Sequence, residues 1–296
     1  MNDTRTAARS GPAPQRSGRT PTMGRVMTRD GALPWTQRRW VRTALPIAIS
    51  LLALVGWEVL VRVNRIPHYI LPGPLLIAQT LWDNLDSLML SWWFTVKITF
   101  GALLLAVVGG VLLATVFALS RWVELSMFPF AVVLQVTPII AIAPLIIIYI
   151  PRTTAALLLC AWIVAFFPIL SNTVIGLRSA DLNLRDLFVL YRASRWQTLR
   201  YLLAPAAMPY FMAGLKVAGG LSLIGAVVAE FTAGAAGRET GLASRILEAS
   251  FRTEIPKMFA ALVLVSLTGI AIFLIFNLVA RLVLGKWHES EIKVRR

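Results

Sequence analysis

The sequence predicts an all-α, polytopic membrane protein: a bundle of six transmembrane helices with both termini in the cytoplasm. Composition is the first observation, because 57% of residues are hydrophobic and only 15% are charged, against about 25% charged in soluble domains. The second is a series of long apolar runs. The third is the placement of the basic residues, which gather between those runs and set a topology rather than forming one polar face. The formal net charge of +15 therefore does not point to nucleic acid, which would need Lys and Arg concentrated on a folded surface.

A helix rises about 1.5 Å per residue and needs roughly 20 apolar residues to cross a bilayer core. Six stretches meet that length: about Ala44 to Val61, Phe94 to Leu119, Leu125 to Ile150, Thr154 to Leu177, Tyr210 to Val228 and Phe259 to Leu284. Arg25, Arg29, Arg38, Arg39 and Arg42 precede the first. They place the N-terminus in the cytoplasm, and six crossings return the basic segment Arg178 to Pro209 and the tail after Arg281 to that side. Residues 1–33, rich in Arg, Ser, Thr, Gly and Pro, bury too little to offset ordering entropy and read as a disordered cytoplasmic tail. Residues 34–296 then form the membrane domain. The stretch after the fifth span mixes Arg238, Arg245, Arg252 and Lys257 with Glu239, Glu248 and Glu254, and is expected to be periplasmic with one or two short helices.

Chemistry-bearing groupings are missing from the sequence. A lone Cys160, with His68 and His288 far apart, offers neither a disulfide framework nor a metal site. No Gly-rich Lys-Ser/Thr phosphate loop is present, and no Ser/His/Asp or paired-carboxylate arrangement stands out. No cofactor is expected, and any ATP hydrolysis would lie on another polypeptide.

The most patterned segment lies between spans four and five. Leu184, Leu187, Phe188 and Tyr191 fall at helical spacing on one stripe. Ser194 with Gln197 has the form of a capping box that opens a second helix, whose stripe is Trp196, Leu199 and Leu203. Two short amphipathic helices joined by a turn cannot span. They must lie on the membrane surface or dock into a groove on a partner.

Here the chain resembles the permease subunits of bacterial binding-protein-dependent ABC importers, whose cytoplasmic signature starts with Glu-Ala-Ala, places Gly six residues later and ends in Leu-Pro. Asp186 stands at the Glu position, Arg192 at the Gly position and Ala204-Pro205 at the Leu-Pro position. The resemblance implies that residues 181–205 form the coupling segment that fits the ATPase subunit, with Asp186, Leu187, Tyr191, Arg192, Ala193, Ser194 and Pro205 as coupling residues. A glycine at that turn supplies a positive φ, which Arg192 would adopt only at a cost of about 1 kcal/mol. Either the turn differs here or the strain is tolerated. Ile70-Leu-Pro-Gly-Pro74, Gln135-Val-Thr-Pro138, Phe167-Pro168-Ile-Leu-Ser-Asn172 and Ala229-Glu-Phe231 look like the branch that imports sulfonates, taurine, nitrate and pyrimidine-type thiamine precursors. Its partners, by the same resemblance, are ATP-binding cassette ATPase subunits, a second permease copy, a periplasmic solute-binding protein and the lipid bilayer.

Polar groups inside spans are costly and mark candidate pathway positions. Gln135, Thr137, Asn172 and Thr173 lie near Pro138, Pro144 and Pro168. Gln135, Thr137, Pro138 and Asn172 are the pathway candidates, and the alternative for each polar one is a hydrogen bond that glues helices together. Glu230 either faces the exit of the pathway or sits at the water interface, the second being the expectation, Glu58 and Lys97 snorkel from span ends, and Arg121 and Trp122 anchor a cytoplasmic turn. Two rival functions remain beside the importer permease. An ion-gradient-driven secondary transporter would call for ionisable residues in the spans and repeated halves, and a membrane-embedded enzyme or assembly factor would call for a chemical site.

Overall fold

Apolar helices dominate because a bilayer offers backbone groups no water, so each span must close its own hydrogen bonds. The computed structural model describes residues 39–235 and 241–285. The expected tail 1–33, His288 and the pair Arg238 and Glu239 lie outside the described residues. Among the described residues five helices are long and apolar enough to cross, six if a bent pair is counted as one span.

In chain order the elements are α1 (Arg39–Val63), α2 (Pro74–Asp83), α3 (Leu85–Leu119), α4 (Arg121–Val136), α5 (Ile139–Tyr149), α6 (Thr153–Arg178), α7 (Leu182–Leu190), α8 (Arg195–Thr198), a π-helical stretch (Leu199–Leu203), α9 (Ala204–Ala235), α10 (Leu242–Phe251) and α11 (Ile255–Leu284). The chain divides into two units after Gly56. Residues 39–56 are the described part of the first unit and form the bulk of α1, with exposed side chains from Ala44 onward. Inside that stretch the Ser50 hydroxyl donates to the Pro46 carbonyl at 2.9 Å.

In the second unit α6 is the central helix, packed most extensively on α9 and α3. Small residues bring α6 and α9 together. A Cβ on Gly176 would stand 2.8 Å from the Ala207 Cα, and one on Gly225 would stand 2.9 Å from the Ala161 Cα. As one number rises the other falls, so the two helices are antiparallel. Close backbone approach of this kind drives helix association where lipid removes the hydrophobic incentive. Leu170, Ile169, Ala165 and Phe166 of α6 fill one buried cluster with Leu103, Ala106 and Ala114 of α3.

Three corrections to the sequence reading follow from the helices. The third span, drawn as one run from Leu125 to Ile150, is two helices bent by 99°. Thr137 and Pro138 are extended, with ψ of 120° and 115°, because a proline disfavours the α conformation in the residue before it and lacks the N–H to continue the ladder. Pro144 and Pro168, by contrast, lie inside unbroken α5 and α6. The second correction is that the helix opened by Ser194 is not a separate short one, since it continues through the π stretch into α9. Pro205 has no N–H for the Tyr201 carbonyl and its ring would clash with that carbonyl in a regular helix. The chain widens there by a π turn, in which the Ala204 N–H reaches the Leu199 carbonyl.

The third correction concerns Glu230, which is fully buried rather than at a water interface. Its Oε2 accepts from the Thr95 hydroxyl and the Ala243 N–H, each at 3.1 Å. Thr95 Oγ1 in turn accepts from the Leu242 N–H at 2.9 Å. The first turn of α10 thus spends its free N–H groups on a carboxylate and a hydroxyl supplied by α9 and α3, a placement that also suits the helix dipole. Glu58 likewise turns inward, accepting from the Leu75 N–H at 3.2 Å and from the Arg62 guanidinium, so it caps the start of α2. Lys97 lies 6.0 Å from the Trp93 ring centroid. The mixed-charge loop does contain one short helix, α10. There Arg245 and Arg252 flank Glu248 at 2.8 and 2.9 Å, and the Arg245 hydrogen bond holds the carboxyl below its usual pKa range.

Gly241 is required by that junction. A Cβ there would stand 2.2 Å from both Glu230 Oε1 and Thr95 Oγ1. Gly241→Ala is expected to destabilise the protein by about 1–3 kcal/mol, the cost of overpacking. Thermal unfolding in detergent should show a lower midpoint, together with faster hydrogen exchange at Leu242 and Ala243.

Candidate functional site

Two features, one at an end of the bundle and one farther along it, concentrate the unusual backbone and the polar side chains. The end is defined by Arg121, Arg178, Arg185, Arg195 and Arg200. Arg195 donates to the Leu119 carbonyl at 3.4 Å and Ser179 donates to the Ala206 carbonyl at 3.4 Å, so the ends of α3 and α6 and the start of α9 lie together.

The first feature is α7 and the turn that follows it. Asp181 caps α7 by accepting from the Asn183 N–H at 2.7 Å. At the other end the Ala193 N–H reaches the Phe188 carbonyl and the Arg192 N–H reaches the Val189 carbonyl, both at 2.9 Å. This is the Schellman termination, whose C′ residue needs the left-handed conformation, and Arg192 adopts it with φ 51°. The turn is therefore the one a glycine would make, and the arginine carries the strain. Ser194 and Gln197 form the expected capping box in both directions, at 2.7 and 3.2 Å. Arg65 and Thr253, the other described non-glycine residues at positive φ, end α1 and α10 with the same pair of hydrogen bonds.

Helix α7 buries none of its residues. Leu182, Val189, Leu190 and Tyr191 are 72%, 74%, 79% and 81% exposed, and uncovered large apolar side chains grouped on one short helix are of the kind that marks an interaction surface. Trp196, placed by its spacing on an apolar stripe with Leu199 and Leu203, is 67% exposed while Leu199 is buried. Asp186 and Leu187 are exposed on α7, Arg192, Ser194 and Pro205 are exposed beyond it, and Ala193 is partly covered. Arg185 ties α7 to the bundle by donating to the Leu177 carbonyl at 2.9 Å.

The second feature is the break between α4 and α5. Gln135, Thr137 and Pro138 line a cavity of about 350 Å³ together with Ile163, Val164 and Pro168 of α6 and Leu221 of α9. No charged side chain is among its lining residues. Thr137 Oγ1 donates to the Val133 carbonyl at 2.7 Å, and the carbonyls and N–H groups flanking the break are freed from the helical ladder. Asn172 is not brought to this cavity. Its amide donates to the Pro168 carbonyl at 2.9 Å, and its Cβ lies under Gly214. Thr173 is buried with its hydroxyl unpartnered, facing a different, apolar cavity of about 550 Å³ between α3, α6 and α9.

Sequence reasoning missed Glu124. This carboxylate, in the first turn of α4, is 7% exposed. It accepts from Arg121 at 2.9 Å and from Arg178 at the end of α6. Arg121 is thus more than the topology anchor its position suggested, while Trp122 is 82% exposed. An Arg three residues before a Glu was the available local signal, but nothing nearby in sequence announces Arg178.

Comparison with known proteins gives this geometry a family. Residues 106–286 match the family described as binding-protein-dependent transport system inner membrane component. A riboflavin transport system permease protein of Chloroflexus aurantiacus is 34% identical over 85% of this chain and 92% of its own length. A formylaminopyrimidine transport permease protein of Halalkalibacterium halodurans is 30% identical over 83% of this chain and 96% of its own. A putative aliphatic sulfonates transport permease protein of Bacillus subtilis is 26% identical over 79% and 84%. A multi-pass helical chain with this match across its spans belongs to the inner-membrane permease family of binding-protein-dependent ABC importers, which carry small solutes across the membrane.

Proposed function

We propose that this permease pairs with a second copy of itself, takes a small neutral polar heterocycle from a periplasmic solute-binding protein, and is driven by separate ATPase subunits that grip α7. The carrying observation is α7 itself, a leucine-rich helix with no buried residue that is nevertheless fixed in place by caps at both ends. An apolar patch held rigid and uncovered suits docking, because little ordering entropy remains to be lost on binding. By the positive-inside rule its arginine-rich end faces the cytoplasm, where the ATPases would be. ATP hydrolysis falls to them.

The paired arrangement is supported by the α4–α5 break. Non-helical backbone cannot face lipid, so it must be covered by protein or line a wet cavity. Gln135 and Pro138 are exposed on this single chain, and a second copy would cover them. The substrate class is supported by the cavity lining. An anion such as nitrate or a sulfonate would have no cation there, whereas Gln135, Thr137 and the freed backbone offer uncharged donors and acceptors. The riboflavin and formylaminopyrimidine permeases are also the more similar of the relatives compared above.

Two experiments check this reading. Co-expression with the ATPase encoded beside it should give a complex that Tyr191→Arg abolishes. Arg192→Pro, which fixes φ near −65°, should abolish it too, while Arg192→Gly should retain it and gain up to about 1 kcal/mol of stability. Undiminished complex formation by the first two would sink the docking role. In proteoliposomes supplied with the binding protein, uptake of riboflavin or a formylaminopyrimidine should exceed that of taurine or nitrate and should fall about tenfold in Gln135→Ala, as for a lost buried polar contact. Uptake confined to the anions would overturn the substrate class.

A further inference from the structure

The α4–α5 break and α7 lie on different helices, and the structure holds one polar link between them. Glu124 stands in the first turn of α4, and its two carboxylate oxygens are divided between Arg121 and Arg178. Arg178 is the last residue of α6, three positions before Asp181, which caps α7. Among the described residues no other side-chain hydrogen bond or ion pair joins α4 to another helix. The carboxylate is nearly covered, with 9% of its side chain exposed against 51% for Arg178. A covered carboxylate with both oxygens engaged holds its geometry far better than a surface pair does.

The helix geometry then fixes what Glu124 would move. Thirteen residues of α4 run from Glu124 to Val136 as a continuous helix with Pro129 inside it, and a helix of that length spans about 18–20 Å. Its far end is the Thr137–Pro138 break that forms the cavity wall. At the near end, Arg185 fastens α7 to the Leu177 carbonyl of α6 and Arg178 fastens α6 to Glu124. A displacement of α7 therefore has a continuous hydrogen-bonded route through the end of α6 into α4. Apart from that route α4 is held by nonpolar packing, such as Phe128 against Phe117 and Phe167, which slides more readily than a charge pair.

We infer that Glu124 is the positioning residue that transmits movement of the ATPase-docking helix to the cavity at the α4–α5 break, through its bond to Arg178. The inference rests on α7 being the docking helix. It predicts a coupling defect rather than an assembly defect.

The test uses the full complex with its ATPase and binding protein in proteoliposomes, measuring solute taken up per ATP hydrolysed. Glu124→Gln should retain the ATPase subunits and hydrolyse ATP at the usual rate, while uptake per ATP falls about tenfold. The charge-swapped Glu124→Arg/Arg178→Glu variant should recover most of that loss, which a role in folding alone would not predict. Unchanged uptake per ATP in Glu124→Gln overturns the inference. If Glu124→Gln does not accumulate, the swap decides: a swapped complex that assembles and stays uncoupled overturns the inference, and one that transports normally upholds it. Failure of the docking role itself is read separately, as retained assembly and transport in Tyr191→Arg.

Discussion

The obligation to satisfy backbone hydrogen bonds without water governs this molecule. Each N–H and carbonyl within the hydrocarbon must find a partner in its own chain or a neighbour's, and most do so along unbroken helices such as α3, α6, α9 and α11. The exceptions are few enough to be informative. At Thr137–Pro138 the ladder stops in mid-span, and at Leu199–Leu203 it widens to a π turn. Each coincides with a proline whose ring cannot be accommodated by the regular helix, and each sits beside a feature with a functional reading: a cavity with Gln135 and Thr137 in the first case, the start of the span that follows α7 in the second.

The same constraint explains how the ends of the bundle are tied. Where helices stop, orphan N–H and carbonyl groups accumulate, and the structure spends its scarce charged residues on them. Glu58 takes the N–H of Leu75 and Glu230 takes that of Ala243. Arg185 and Arg195 donate to the carbonyls that end α6 and α3. The small residues of α6 and α9 make this economy possible. With Gly176 against Ala207 and Gly225 against Ala161, the backbones approach closely enough that dispersion holds the centre and polar groups are left for the ends.

Much of this was legible in the sequence because it is local. The long apolar runs and the Ser194–Gln197 capping box are local patterns, and the structure contains both. The demand for a positive φ at Arg192 was legible too, through the glycine that the resembling family places there. What was hidden depends on distant partners. Pro138, Pro144 and Pro168 look alike in a sequence, and only the first breaks its helix, since packing of α6 between α3 and α9 carries Pro168 through. Glu230 was read as an interface residue because burial of a carboxylate is decided by what faces it, and Thr95 is 135 positions away. Glu124 and Arg178, 54 positions apart, were invisible for the same reason. Asn172 had the right chemistry for the cavity but points to the carbonyl one turn back.

Helix α7 and its flanking turns show how local devices can hold an exposed surface in one pose. A short helix with no buried face gains almost nothing from tertiary packing, and isolated helices of this length are marginal. Helix α7 is held instead by its ends: the Asp181 cap, the Schellman turn at Arg192, the capping box at Ser194 and the Arg185 bond to Leu177. Each is worth about 1 kcal/mol, and the left-handed conformation of Arg192 costs about as much. These features therefore stabilise a helix too short to hold itself and at the same time fix its orientation. A helix kept in one pose presents Leu190 and Tyr191 in a defined direction, tied to the end of α6 by the Arg185 bond and to α9 by the helix that Ser194 opens.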